Sequence, residues 1–138
     1  MSIPAGLRHA VWQRARVHCE YCLISEQDSL APHEPDHIVA AQHGGLAVLE
    51  NLALACYDCN HHKGPNLASL DPQTGQSVFL FNPRRQRWTE HFRLDGAVIA
   101  PLTPLGRATA ALLRFNEPQR IRLRLELQKA GTYPTNSC

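Results

Sequence analysis

Four of the five cysteines fall into two pairs of identical spacing, Cys19-Glu20-Tyr21-Cys22 and Cys56-Tyr57-Asp58-Cys59, separated by residues 23–55. Two residues between thiolates let both sulfurs reach one ion, with backbone amides turned toward them. Four thiolates close a tetrahedron, which makes the expected site a structural zinc centre, not a catalytic one. Unrelated buried cysteines would not explain two matched pairs. A redox centre calls for a single Cys-x-x-Cys in a thioredoxin-like pattern. The stretch between the pairs is longer than in a zinc ribbon, so it must be a structured insert. Cys138, the last residue, reads as an incidental thiol at a frayed end.

The insert and its exit hold a second set of polar residues: Asp36-His37-Ile38, Gly44-Gly45, Glu50-Asn51-Leu52, then Asn60 and Lys63. An imidazole with an ordinary pKa of about 6.5 can take a proton from water near neutrality. A carboxylate and an amide oxygen suit a hard cation that also binds phosphate oxygens. Such a sparse oxygen set favours magnesium or manganese over zinc. An Asp-His pair alone is weak, because adjacent strand residues point to opposite faces and ordinarily give a surface aspartate beside a half-buried histidine.

The set as a whole carries more. The string Cys-x-x-Cys, Asp-His-Ile, Gly-Gly, Glu-Asn-Leu, Cys-x-x-Cys-Asn-x-x-Lys closely resembles the HNH endonuclease family over about residues 15–64. The resemblance implies a ββα-metal fold, two antiparallel strands and a helix around one divalent ion. Position by position, it implies that His37 is the general base and that Asn51 braces the loop and orients His37. Asn60 then fills the third motif position, with asparagine in place of histidine. Asp36 and Asn60 become ligands of the catalytic ion, and Lys63 a phosphate contact. His61 is the rival for the third position; Asn60 is preferred because it directly follows the cysteine. Pro35 stands where the family has an apolar strand residue. His33 reads as an ordinary loop histidine, and His62 as solvent-facing.

These residues need elements to hold them. The chain reads as α+β and as a single domain, 1–138, with a nuclease core over 15–68 and a strand and helix extension over 69–138. Three-four spacing of Leu7, Ala10, Val11, Arg14, Ala15 and His18 predicts a helix over 4–18 that leads into the first cysteine pair. Residues 23–35 read as loop, 36–41 and 49–55 as short strands, and the second knuckle as running into a short helix that ends before Pro65. Further on, 77–81 alternates as a strand does, and 88–94 with 97–100 predict a hairpin about Asp95-Gly96. Two helices follow. One, 104–115, has Thr103 as N-cap. The other, 118–130, has Asn116 as cap, Gly131 as its stop and a face of Ile121, Leu125 and Gln128 beside Leu123 and Leu127. Residues 132–138 read as frayed.

Apolar residues make up 43% of the chain. That is slightly low for a globular protein and too high for disorder, so an ion that ties loops together would help. No apolar run approaches membrane-spanning length and no signal peptide is visible, which leaves a cytoplasmic protein with no membrane partner as the expectation. The net charge of +2 is a weak nucleic-acid signal, but twelve of the fourteen bases are arginine, the residue suited to bidentate phosphate contact. Arg84, Arg85 and Arg87 are the expected phosphate contacts. Trp88 and Phe92 are expected to pack inward, and Arg120, Arg122 and Arg124 to be solvated. The expectation is a DNA endonuclease with structural zinc and catalytic magnesium or manganese. The alternative is a zinc-stabilised nucleic-acid-binding module without turnover, which has no need of His37 or Asp36. The sequence is silent on oligomeric state.

Overall fold

The computed structural model describes residues 3–134, so Cys138 lies outside the described residues. Among these, the chain forms five α-helices and three two-stranded antiparallel hairpins. The hairpin that matters first is β1 (Glu34–His37) paired with β2 (Leu52–Ala55), with Asp36 opposite Ala53 and His37 opposite Leu52. β1 begins two residues earlier than the predicted strand and takes in Pro35. Each strand of a two-stranded sheet has an edge, and proline is tolerated there. The second predicted strand is split: a 3-10 turn over Leu49–Asn51 precedes β2.

Helix α1 (Ala5–Arg14) is shorter than its periodicity predicts. Arg16 and Val17 both take positive φ, 52° and 66°, and so break the helix. The break turns the chain so that His18 bridges Ser25 and Cys19 enters the first knuckle. α1 lays Val11 against Leu52 and Leu54 of β2, which backs the hairpin from one side. α2 (Tyr57–Lys63) starts inside the second knuckle, with the Cys56 sulfur as its N-cap acceptor, and packs against β1. It ends at Gly64, where φ is +53°.

The second half folds over the same core. β3 (Ala68–Leu70), which no sequence pattern marked, pairs with β4 (Ser77–Phe79). Trp88–His91 forms a short helix, α3, where a strand is predicted. The hairpin is then β5 (Phe92–Asp95) with β6 (Val98–Pro101), turning on Gly96-Ala97 with Gly96 at φ +61°. α4 (Pro104–Leu112) has its Thr103 hydroxyl accepting from the Gly106 amide at 3.0 Å. α5 (Pro118–Lys129) ends in a Schellman stop: the Gly131 amide donates to Gln128 O and the Thr132 amide to Leu127 O. Asn116 is no helix cap. Its side chain pairs with both backbone groups of Ile99 and accepts from Arg124.

One buried cluster joins the halves: the four zinc-pair cysteines, Tyr21 and Ile38 meet Phe81, Phe92, Ile99, Leu113 and Phe115. Trp88 packs inward as expected, donating its indole N–H to Tyr21 O at 2.8 Å. Two expectations are corrected. Arg120 and Arg124, not Leu123 and Leu125, form the inner face of α5; the two leucines are over 40% exposed. Tyr133 is not frayed: it is buried, and its hydroxyl donates to Cys22 O at 2.8 Å.

Candidate functional site

The four cysteines are buried and unlinked, and their sulfurs lie within 4.8 Å of one another. Cys22 and Cys56 sulfurs are 3.6 Å apart, too far for a disulfide and close to the roughly 3.8 Å expected between two sulfurs of a tetrahedral zinc with bonds of about 2.3 Å. In each knuckle the second cysteine's amide donates to the first one's sulfur, at 3.4 Å in both. Burial pushes the Cys19 and Cys59 thiols well up, whereas hydrogen bonds from Cys19, Cys56 and Cys59 pull Cys22 well down. Four bare thiolates cannot coexist in so small a space. The set fits a divalent cation, whose charge holds thiolates deprotonated, and it can hold zinc.

The second set is assembled from β1, β2, the loop between them and α2. Asn51 ties the loop. Its amide nitrogen donates to Val39 O and Leu46 O, and its side-chain oxygen accepts from the Val39 amide, each at 2.9 Å. Gly45 explains the Gly-Gly of the motif: a Cβ there would stand 1.7 Å from Val39 O and 2.8 Å from Asn51 Nδ2. No side chain fits beside the Asn51 brace. Gly44, at φ +89°, supplies the left-handed residue that closes the preceding 3-10 turn.

Beneath the strand sits Lys63, only 2% exposed. Its ammonium lies 2.9 Å from Asp36 Oδ2 and donates to His37 O at 3.0 Å. The approach to Asp36 is close enough for a full ion pair, but its angle is poor for a hydrogen bond. Phosphate contact by Lys63 is therefore corrected to an anchoring role, because its donors are turned inward. Burial raises the Asp36 carboxyl above the ordinary aspartate value, against the pull of Lys63 and, more weakly, of His37. Asn60 precedes Lys63 by three residues on α2, which makes the two neighbours on the helix surface; of these, Lys63 contacts β1. The Asn60 side chain makes no hydrogen bond among the described residues.

His37 closes β1, where the pleat ends. Its Nε2 is buried and has no hydrogen-bond partner. A buried ring nitrogen without a partner is costly to maintain; His18 Nε2 and His33 Nδ1 are two more in this chain. His61 is exposed and stacks on Tyr57, ring centroids 5.6 Å apart, away from any such arrangement. His33 is buried, with Nε2 3.0 Å from Ile24 O. His62 is half-buried and 3.8 Å from Glu117, so it does not face solvent as expected.

A cleft of about 350 Å³ opens beside the brace, lined by Asn51, Lys63, Phe79, Arg85 and Gln86 among others. A neighbouring hollow shares Glu50 and Arg85 and adds Arg14 and Arg84. Of the three arginines expected at phosphate, Arg85 and Arg87 are exposed. Arg84 is corrected: it is half-buried and ion-paired with Glu20, which itself accepts from the Leu54 amide. Sequence reasoning missed Arg120, which donates to the Cys59 sulfur at 3.2 Å; no motif marks it. No helix among the described residues is long and apolar enough to cross a membrane.

Compared with known proteins, the chain matches no curated protein and no solved structure. Its match is to a family model: residues 19–66, from the first knuckle through α2, match HNH endonuclease.

Proposed function

We propose that this protein is a metal-dependent endonuclease that hydrolyses phosphodiester bonds in DNA. The observation that carries the reading is His37 Nε2, buried and unpartnered, one residue after the buried Asp36 in the stretch that matches HNH endonuclease. A general base keeps one ring nitrogen free for the proton of an attacking water; His18 Nε2 and His33 Nδ1 are also buried without a partner, so it is the place of His37 in the HNH match that singles it out.

The residues around it divide the work. Lys63 fixes the strand end by holding His37 O and Asp36 together. Asn51 fixes the loop that follows and so sets the direction in which the imidazole points. Asp36 and Asn60 would hold one hard divalent cation, magnesium or manganese. They fit it: Asp36 has a carboxylate oxygen left over from the Lys63 pair, and the Asn60 amide has no other use. When bound, such an ion supplies charge stabilisation to the leaving 3′ oxygen. Arg85 and Arg87, exposed at the cleft and next to it, would position the backbone of the substrate.

The test is a cleavage assay on DNA with magnesium or manganese. Wild-type protein is expected to nick or cut. His37→Ala is expected to lose about 10²–10⁴-fold in rate while retaining zinc. Binding of DNA without turnover by the zinc-loaded wild type, or equal cleavage by the variant, would contradict the reading.

A further inference from the structure

The matched HNH stretch ends at residue 66, yet one partner of the zinc-pair sulfurs comes from α5, far beyond it. Arg120 Nη2 lies 3.2 Å from Cys59 Sγ. The guanidinium is buried, 7% exposed, and its other terminal nitrogen is engaged: Nη1 donates to Leu113 O at 2.6 Å and Arg114 O at 2.9 Å, carbonyls just past the end of α4. Nε is 3.9 Å from the half-exposed Asp58 carboxylate, and the plane lies 5.9 Å from the Phe115 ring centroid.

A guanidinium in a dry site needs a compensating anion. Asp58 is too far and too exposed to be that anion. A zinc bound by four thiolates carries a net charge of about −2, and it is buried here. The two charges therefore answer each other across a single N–H to sulfur contact. A hydrogen bond to a metal-bound thiolate withdraws electron density from it and holds the ligand in place.

We infer that Arg120 is a positioning residue of the zinc centre, an outer cation through which α5 completes a site whose ligands all belong to the HNH stretch. Because Asn60 directly follows Cys59, the same contact fixes the start of the helix that carries Asn60. Zinc loading and docking of α5 are then linked: each stabilises the other. This holds whether or not the protein cleaves DNA, since it rests on the cysteine set alone.

The experiment uses the full chain substituted with cobalt, and in parallel with zinc against a chelator. In Arg120→Gln the thiolates lose a donor, so the sulfur-to-cobalt charge-transfer band moves to lower energy. Zinc binding weakens by about tenfold or more. Arg120→Lys keeps the charge without the fork and is expected to fall between wild type and the glutamine variant. It carries the same comparison if the glutamine variant does not fold. The control is Asn116→Ser, which breaks the two bonds to Ile99 in the same region without touching sulfur. It is expected to lower stability while leaving the band where it is. An unmoved band in both Arg120 variants, an equal shift in the control, or failure of the wild type to bind cobalt overturns the inference.

Discussion

Two buried aspartates, one in each half of the chain, are treated in opposite ways. Asp71, fully buried at the end of β3, is satisfied from every side. It accepts from Arg107 Nε at 2.9 Å and Nη2 at 2.8 Å, from the Gln73 amide at 3.0 Å and from the Thr74 hydroxyl at 3.0 Å. Arg107 holds its carboxyl well below the ordinary range. Asp36, nearly as buried, has one lysine at a poor angle, and burial holds its carboxyl above the ordinary range. The first arrangement locks the β3–β4 hairpin to α4 and leaves nothing over. The second leaves a carboxylate oxygen without a hydrogen bond and, on the following residue, a bare imidazole nitrogen. Unspent polar capacity inside a fold is costly. It is concentrated in the HNH match, which holds four such atoms, Tyr21 Oη, His33 Nδ1, Asp36 Oδ2 and His37 Nε2, while His18 Nε2 and Arg84 Nε lie outside it.

The largest expected effect removes the frame of the comparison. Stripping zinc with a strong chelator takes away binding energy of order 10 kcal/mol for structural sites of this kind. Both halves are expected to lose cooperative unfolding together, because Arg120 and Tyr133 tie the extension to the knuckles. Calorimetry that showed the second half still melting as a unit would separate the halves.

Next comes Lys63→Met. It leaves Asp36 buried without a cation and is expected to cost about 3–5 kcal/mol, read from the denaturant midpoint. Asn51→Ala follows. It deletes three hydrogen bonds worth about 1 kcal/mol each, so a loss of about 2–3 kcal/mol is expected, with faster amide exchange over residues 39–46. Cleavage should fall with it, since the imidazole loses its orientation. Intact cleavage would restrict Asn51 to a structural role.

The subtlest effect is a slope. Asp71 has a lowered folded pKa, so its stabilisation is present above the unfolded value of about 3.9 and is lost as pH falls toward the folded one. Asp71→Asn should therefore lower stability at neutral pH and flatten the acid limb of a stability-against-pH curve. Asp36 acts with the opposite sign. Its folded pKa is raised, so stability declines as pH rises from about 3.9 through the raised value. An unchanged acid limb in Asp71→Asn would erase the contrast between the two carboxylates.

The sequence made the zinc ligands and the HNH set legible because their spacing is local: each knuckle is two residues wide, and Asn60 and Lys63 share a helix face. The bracing of the loop by Asn51 is also local, whereas the reason for Gly45, its close approach to Val39 O and Asn51, shows only in the fold. Other features depend on distant partners and left no local trace. Arg120 finds its sulfur 61 residues upstream, so a helix that reads as solvated on its arginine side buries that side instead. Asn116 reads as a helix cap, but the Ile99 backbone takes its amide. β3 escapes notice because Ala68-Ser69-Leu70 is short and its leucine is 61% exposed, leaving no alternation to detect. Lys63 matches the motif, yet only the fold shows that its ammonium points down into Asp36, away from solvent.

The most direct test follows the two carboxylates by NMR while magnesium is added to zinc-loaded protein. The account predicts that the Asp36 carboxyl and the Asn60 side-chain amide shift with magnesium, that the Asp36 titration moves to lower pH, and that Asp71 does not respond. Magnesium that leaves Asp36 and Asn60 unmoved, or perturbs Asp71 equally, would contradict it.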